Sequence, residues 1–182
     1  MEFIETEIKD VLLLKPKVHQ DSRGFFLESY RKELFYNRDI DIEFVQDNLS
    51  MSKQGTLRGL HYQIESPQDK LVMVVKGKVL DVAVDLRQSS PTFGKYTSRV
   101  LSDGNKHQLF IPKGFAHGFS VLSDEAIVAY KCSDYYNPDG ERGLRWNDPQ
   151  LDINWEVSDP IISEKDQKQP LLKEISKQDL FT

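Results

Sequence analysis

The chain has one cysteine, Cys132, in 182 residues, so no intramolecular disulfide can staple it. No apolar run approaches the roughly 20 residues that span a bilayer. The longest, around Leu71 to Val75, is strand length. The opening residues, Met1-Glu2-Phe3-Ile4-Glu5, have neither the basic nor the apolar stretch of a signal peptide. These absences lead us to expect a soluble cytoplasmic protein with no membrane contact. An excess of positive charge is also missing. The 24 Lys and Arg are outnumbered by 29 Asp and Glu, for a net charge of −5. This argues against a nucleic-acid partner. A phosphate-bearing ligand would have to be held by a few well-placed Arg and Lys side chains. No G-x-G-x-x-G turn is present, so nothing points to a dinucleotide. No linker, repeat or low-complexity tract divides the chain, and we expect one domain over residues 1–182.

Hydrophobic residues make up 38%, aromatics 10% and charged residues 29%, a composition that suits a packed core rather than a disordered or fibrous chain. The pattern is of many short strands between turn residues, which predicts a sandwich or barrel. Lys70 to Lys76 is rich in β-branched residues. Gly77-Lys78 reads as a tight turn into Val79 to Arg87, giving a strand pair. In the second strand Leu80, Val82, Val84 and Leu86 share one face. Val79, Asp81, Ala83, Asp85 and Arg87 share the other, and its carboxylates predict contact with water or a polar cavity. Further strands are expected at Phe25 to Tyr30, Phe44 to Ser50, Thr56 to Gln63, Lys95 to Leu101, His107 to Ile111, Phe119 to Leu122 and Ala126 to Cys132. Helix is scarce: a turn or two at Arg31 to Tyr36, and a short helix opened by Ser163-Glu164-Lys165-Asp166. Some sheet edges must be covered, and dimerisation is one way to cover them.

Several groups of residues could carry chemistry. On a strand over Thr56 to Gln63, His61 falls on the face of Leu57, Gly59 and Gln63, opposite Arg58, Leu60 and Tyr62. That suits a ligand-facing histidine, or equally a core histidine satisfied by a neighbour. The stretch Pro112-Lys113-Gly114-Phe115-Ala116-His117-Gly118-Phe119 resembles the second motif of the cupin superfamily of jelly-roll barrels. The first cupin motif supplies His-x-His and then a Glu to a metal. Here the corresponding residues are His61 and Gln63, followed by Glu65 and Lys70. Gln is a poor ligand for transition metals and an ammonium opposes a dication, so we expect no catalytic metal. Asp21-Ser22-Arg23-Gly24-Phe25-Phe26-Leu27-Glu28 could present Arg23 at a turn, with Phe26 and Glu28 alternating onto one strand face. It could equally be a solvated turn. Gln46 and Asn48 share a strand face, and paired amides suit a nucleobase edge, a phosphate or a wet surface. Tyr130, in Ala129-Tyr130-Lys131, could be a packing residue with a wet hydroxyl. Asp166, third after Ser163, could simply cap a helix.

Taken together, these segments resemble the dTDP-4-dehydrorhamnose 3,5-epimerases. Besides the stretches already quoted, the resemblance rests on Asp81 to Arg87, Tyr135-Tyr136-Asn137-Pro138 and Arg145-Trp146-Asn147-Asp148-Pro149, and it covers nearly the whole chain. It implies an all-β, cupin-like jelly-roll barrel (a double-stranded β-helix) with a few short helices. It implies a metal-free isomerase with no cofactor, usually a homodimer, acting on a dTDP-sugar in the supply of surface polysaccharide. It further implies His61 as general base, Tyr130 as general acid, Asp166 as partner of the base and Lys70 beside the sugar carbonyl oxygen. Arg58 and His117 would line the same site. Arg23, Phe26, Glu28, Gln46, Asn48, Glu141 and Lys165 would contact the nucleotide sugar, with Tyr136 stacking on thymine.

The chemistry fits those residue types. Hydrogens at C3 and C5 both flank the C4 ketone, and removal of either leaves an enolate with charge on the C4 oxygen. A fixed cation there lowers the barrier, as an oxyanion-hole donor does, by roughly 3–4 kcal/mol. An imidazole suits the base at neutral pH, and a carboxylate can fix its tautomer. Inversion requires the new proton to arrive from the opposite face, which a second group such as a phenol can supply. The residues alone leave other readings open: an epimerase acting at C3 or C5 only, a metal-dependent cupin, and a non-catalytic nucleotide-sugar binder.

Overall fold

The computed structural model describes residues 1–182. The strands are β1 (Glu2–Glu5), β2 (Leu12–Lys15), β3 (Val18–Asp21), β4 (Gly24–Leu27), then, after helix α1 (Lys32–Tyr36), β5 (Gln46–Lys53), β6 (Leu57–Gln63), β7 (Lys70–Lys76), β8 (Lys78–Asp85), β9 (Tyr96–Ser102), β10 (Gln108–Ile111), β11 (Phe115–Val121), β12 (Glu125–Cys132) and β13 (Glu141–Gly143). Helix α2 (Glu164–Gln167) follows, and two 3-10 turns end the chain. All strand pairing within the sheets is antiparallel. One sheet runs β1-β2-β10-β7-β12-β5 and the other β13-β6-β11-β8-β9. The hairpin β3-β4 stands apart as its own two-stranded sheet. This is the all-β architecture expected, and it is consistent with a cupin-like jelly roll.

The main core lies where alternate residues of the two sheets meet: Val72 and Val74, Val79 and Ala83, Phe115 and Phe119, Ala126 and Val128. A second cluster covers the outer face of the five-stranded sheet. There Leu80, Val82, Val84 and Leu86 pack beneath Leu151, Trp155, Leu172 and Leu180 from the C-terminal segment. A third sits on the six-stranded sheet, where Phe35 of α1 packs on Leu14, Leu71 and Phe110. Apolar side chains on both faces of β8 explain why that strand is buried along nearly its whole length.

Two local expectations change. Strands β7 and β8 do not pair with one another. β7 lies between β10 and β12, whereas β8 lies between β11 and β9. Gly77 (φ 81°) therefore turns the chain from one sheet into the other rather than closing a hairpin. A Cβ there would run into the Glu125 carbonyl oxygen. Of water and a polar cavity, the β8 face that carries Asp81 and Asp85 meets no water, while Asp81 reaches His117 in the lining of a polar cavity. Both carboxylates are fully buried, and Val79 and Ala83 of that face belong to the main core. Strands β1, β2, β3 and β13 were not foreseen. β11 begins at Phe115 rather than Phe119, because the Pro112–Gly114 turn hands directly to the strand.

Candidate active site

The site opens between the sheets, where β6, β7, β11 and β12 turn polar residues inward. His61 of β6 lies directly opposite His117 of β11. The next aligned pair is Arg58 with Phe119, so three steps along β6 match two along β11. This bulge shifts the phase of β6. Leu57, Leu60 and Tyr62 therefore point to the outer cluster, while Arg58 and His61 face the same cavity rather than opposite sides as simple alternation predicted. The bulge needs close backbone approach. A Cβ on Gly59 would meet Gly118 Cα at 2.6 Å.

Asp166 reaches His61 because the C-terminal segment is laced onto β6. The Leu57 N–H donates to the Ile161 carbonyl at 3.0 Å, and the Ile161 N–H to that of Gly55 at 2.8 Å. Ser163 then caps α2 by accepting the Asp166 backbone N–H at 3.1 Å. The Asp166 side chain is left free and lies 2.6 Å from His61 Nε2, while its other oxygen accepts the Gly59 N–H at 3.3 Å. Burial alone would raise the Asp166 carboxyl. The His61 hydrogen bond, the His61 charge and the Gly59 N–H outweigh it, and the group sits below the usual carboxylate range.

Lys70 opens β7 and Tyr130 lies on β12. Both line one cavity of about 450 Å³ with Arg58, His61, His117 and Asp166. Burial pushes the Lys70 ammonium down, opposed by Cys132, Asp81 and Glu141. Burial pushes the Tyr130 phenol up, so it keeps its proton at neutral pH. Arg58 is held by Ser52, whose Oγ accepts from Nε at 2.9 Å.

A second cavity of about 290 Å³ shares His61, Lys70 and Tyr130 with the first and continues past Gln46, Asn48, Tyr136 and Glu141. Gln46 Nε2 donates to Asn48 Oδ1 at 3.1 Å, and Gln46 Oε1 accepts the Tyr136 N–H at 2.9 Å. The Tyr136 hydroxyl donates to Glu141 at 2.8 Å, and Lys165 pairs with the same carboxylate oxygen. Burial alone would raise the Glu141 carboxyl, but Lys165 and Tyr136 hold it below its ordinary range. Eleven of the fourteen expected site residues thus line these two joined cavities. The other three do not. Arg23 and Phe26 (71% exposed) sit on or beside the β3-β4 hairpin, and Arg23 pairs with Asp21 at 2.6 Å. Glu28 falls beyond the end of β4, not on its face, and pairs with Arg31 at 2.6 Å.

Three contributors were missed or misread. Ser52 continues the inward stripe of Gln46 and Asn48 at the same two-residue period, which was the available signal. Gln63, at the position of a cupin ligand, spends its amide on backbone: Nε2 donates to the Ser66 and Tyr135 carbonyls at 2.8 and 3.2 Å, and Oε1 accepts the Asn137 N–H at 3.0 Å. It therefore brackets Tyr136 from both sides. Asp81 was read only as a polar face; its carboxylate lies 3.0 Å from His117 Nε2 through both oxygens. No three His, Cys, Asp or Glu side chains converge anywhere as a metal-binding set.

A sequence model of dTDP-4-dehydrorhamnose 3,5-epimerase matches residues 5–174. The chain belongs to this family. It is 55% identical over 167 residues to a Neisseria gonorrhoeae dTDP-4-dehydrorhamnose 3,5-epimerase, covering 91% of this chain but 51% of that protein. It is 49% identical over 175 residues to the enzyme of that name from Methanothermobacter thermautotrophicus, covering 94% of this chain and 95% of the other. In three dimensions it resembles the Legionella pneumophila dTDP-6-deoxy-D-glucose-3,5-epimerase, solved in complex with dTDP-4-keto-L-rhamnose, with a TM-score of 0.96 and 47% identity over 99% of this chain and 97% of that one.

Proposed function

We propose that the protein converts dTDP-4-dehydro-6-deoxy-D-glucose to dTDP-4-dehydro-L-rhamnose by inverting C3 and C5. The observation that carries this is the meeting of three groups where the two cavities join: His61 with its Asp166 partner, the Lys70 ammonium and the Tyr130 phenol. His61 takes the proton next to the C4 ketone. Asp166 holds the ring in one tautomer and stabilises the imidazolium as it forms. The electron pair moves to the C4 oxygen, where Lys70, with Arg58 and His117 lining the same space, stabilises the enolate. Tyr130 delivers a proton to the opposite face and completes the inversion. Gln46, Asn48, Tyr136, Glu141 and Lys165 bind the nucleotide, with Tyr136 against the base. The chain performs this as one domain of residues 1–182, in the cytoplasm, supplying surface polysaccharide.

A homodimer belongs to this proposal. Arg23, Phe26 and Glu28 are nucleotide contacts by family resemblance, yet their own chain holds them away from the cavities. The outer face of the six-stranded sheet leaves Leu49, Met51 and Val75 more than half exposed. A second copy that covers this face and lends its hairpin would answer both, and sedimentation of the purified protein tests it.

The decisive experiment mixes the protein with dTDP-4-keto-6-deoxyglucose in D2O and follows exchange by NMR. Deuterium at both C3 and C5, with the rhamno product, is expected. Label at C3 alone makes the protein a single-centre epimerase, and no exchange refutes the reading.

A further inference from the structure

The cavity contains a second histidine–carboxylate pair, whose carboxylate the reaction as written does not use. Asp81 is fully buried on β8, and His117 on β11 is 7% exposed. His117 Nε2 lies 3.0 Å from each Asp81 oxygen, and no other donor reaches that carboxylate. An ionised carboxylate only accepts, so Nε2 must carry the proton. Nδ1 is then the one ring nitrogen left for a ligand. His117 lines the sugar cavity and sits opposite His61 in the β6–β11 ladder.

Burying a carboxylate costs several kcal/mol that an apolar side chain would not. Val79 and Ala83, the neighbours of Asp81 on the same stripe, are apolar and serve the core. Packing alone therefore gives no reason for an acid at this position.

We propose that Asp81 is a positioning residue, acting on the bound sugar through His117, whose ring it fixes. The proposal rests on the epimerase reading above. It makes two neighbouring strands of the cavity wall alike in construction: β6 and β11 each present a histidine whose Nε2 is committed to a buried carboxylate.

Two measurements test it. In the wild-type protein, 15N NMR of labelled histidine, with His117 assigned through His117→Gln, should show Nε2 protonated; an unprotonated Nε2 overturns the proposal whether or not any Asp81 variant folds. For turnover, Asp81→Asn should lower kcat by roughly 10–100-fold, as loss of a partner that orients a histidine does, with KM for the dTDP-sugar nearly unchanged. In the His117→Gln background the same change should cost within about twofold on kcat, because the path through His117 is already broken. An equal loss in both backgrounds, or a rise in KM with kcat intact, overturns it. Failure of the wild-type protein to turn over would instead sink the epimerase reading, and the NMR arm would still judge the Asp81–His117 pair.

Discussion

The end of the site proposed for the sugar draws Arg58, His61, Lys70, His117 and Tyr130 from strands that face each other inside the barrel. The end proposed for the nucleotide draws Tyr136 from a loop, Glu141 from the first residue of β13 and Lys165 from the single-turn helix α2. The first set is anchored by buried carboxylates and a bulged ladder; the second is tied mainly to itself, through Gln46, Glu141 and their partners near the surface. Proton transfer needs groups held to within about 0.5 Å, which rigid strands supply. Recognition of a nucleotide tolerates adjustment.

If that division is right, substitutions at the two ends should separate cleanly in steady-state kinetics. The largest effect belongs to His61→Asn, which should reduce kcat by about 10²–10⁴-fold, the range for a lost general base, while dTDP affinity measured by calorimetry stays put. Lys70→Met should cost about 10²–10³-fold in kcat, as removal of one oxyanion donor does. A comparable loss of dTDP affinity would place the cation at the wrong end. Tyr136→Ala should act the other way, raising KM by roughly 5–150-fold for a stacking loss of 1–3 kcal/mol, with kcat close to wild type. The smallest effect is expected at Lys165→Ala, an exposed ion pair whose loss should change affinity by about 0.2–1 kcal/mol.

The pH dependence sharpens the same contrast. Lys70 must keep its proton to stabilise the enolate, and burial pushes it below the ordinary lysine value. Turnover should therefore be present below that pKa and fall as pH rises through it, on an alkaline limb earlier than a solvated lysine would give. Tyr130 is shifted upward and should not limit first. Asp166 is held low, so its pairing with His61 should survive until pH falls well into the acid range. A profile of kcat from neutral to strongly alkaline pH checks the order, and Lys70→Arg should move the alkaline limb upward.

The strands were legible because two-residue alternation survives in a single sequence. Lys70–Lys76 was read with the right bounds. Sheet partnership was not legible. β-Branched strands flanking a Gly look alike whether the Gly closes a hairpin or, as Gly77 does, carries the chain between sheets. Alternation also misplaced Arg58, since a bulge is a property of the β6–β11 pairing and not of β6 alone. Asp166 could be placed near His61 only by family resemblance, because backbone bonds at Ile161 make that contact across more than a hundred residues. Arg23, Phe26 and Glu28 show the remaining limit: the resemblance implies them as nucleotide contacts, and the chain's own structure does not bring them to the two cavities.

The central claim is that base and acid are separate groups acting on opposite faces of one bound ketosugar. Tyr130→Phe in D2O tests it most directly, with deuterium in recovered starting sugar measured beside inverted product. The claim predicts that exchange continues, through proton return from His61 to the face it came from, while inversion drops sharply. Loss of exchange together with inversion, or inversion at the wild-type rate, would contradict it.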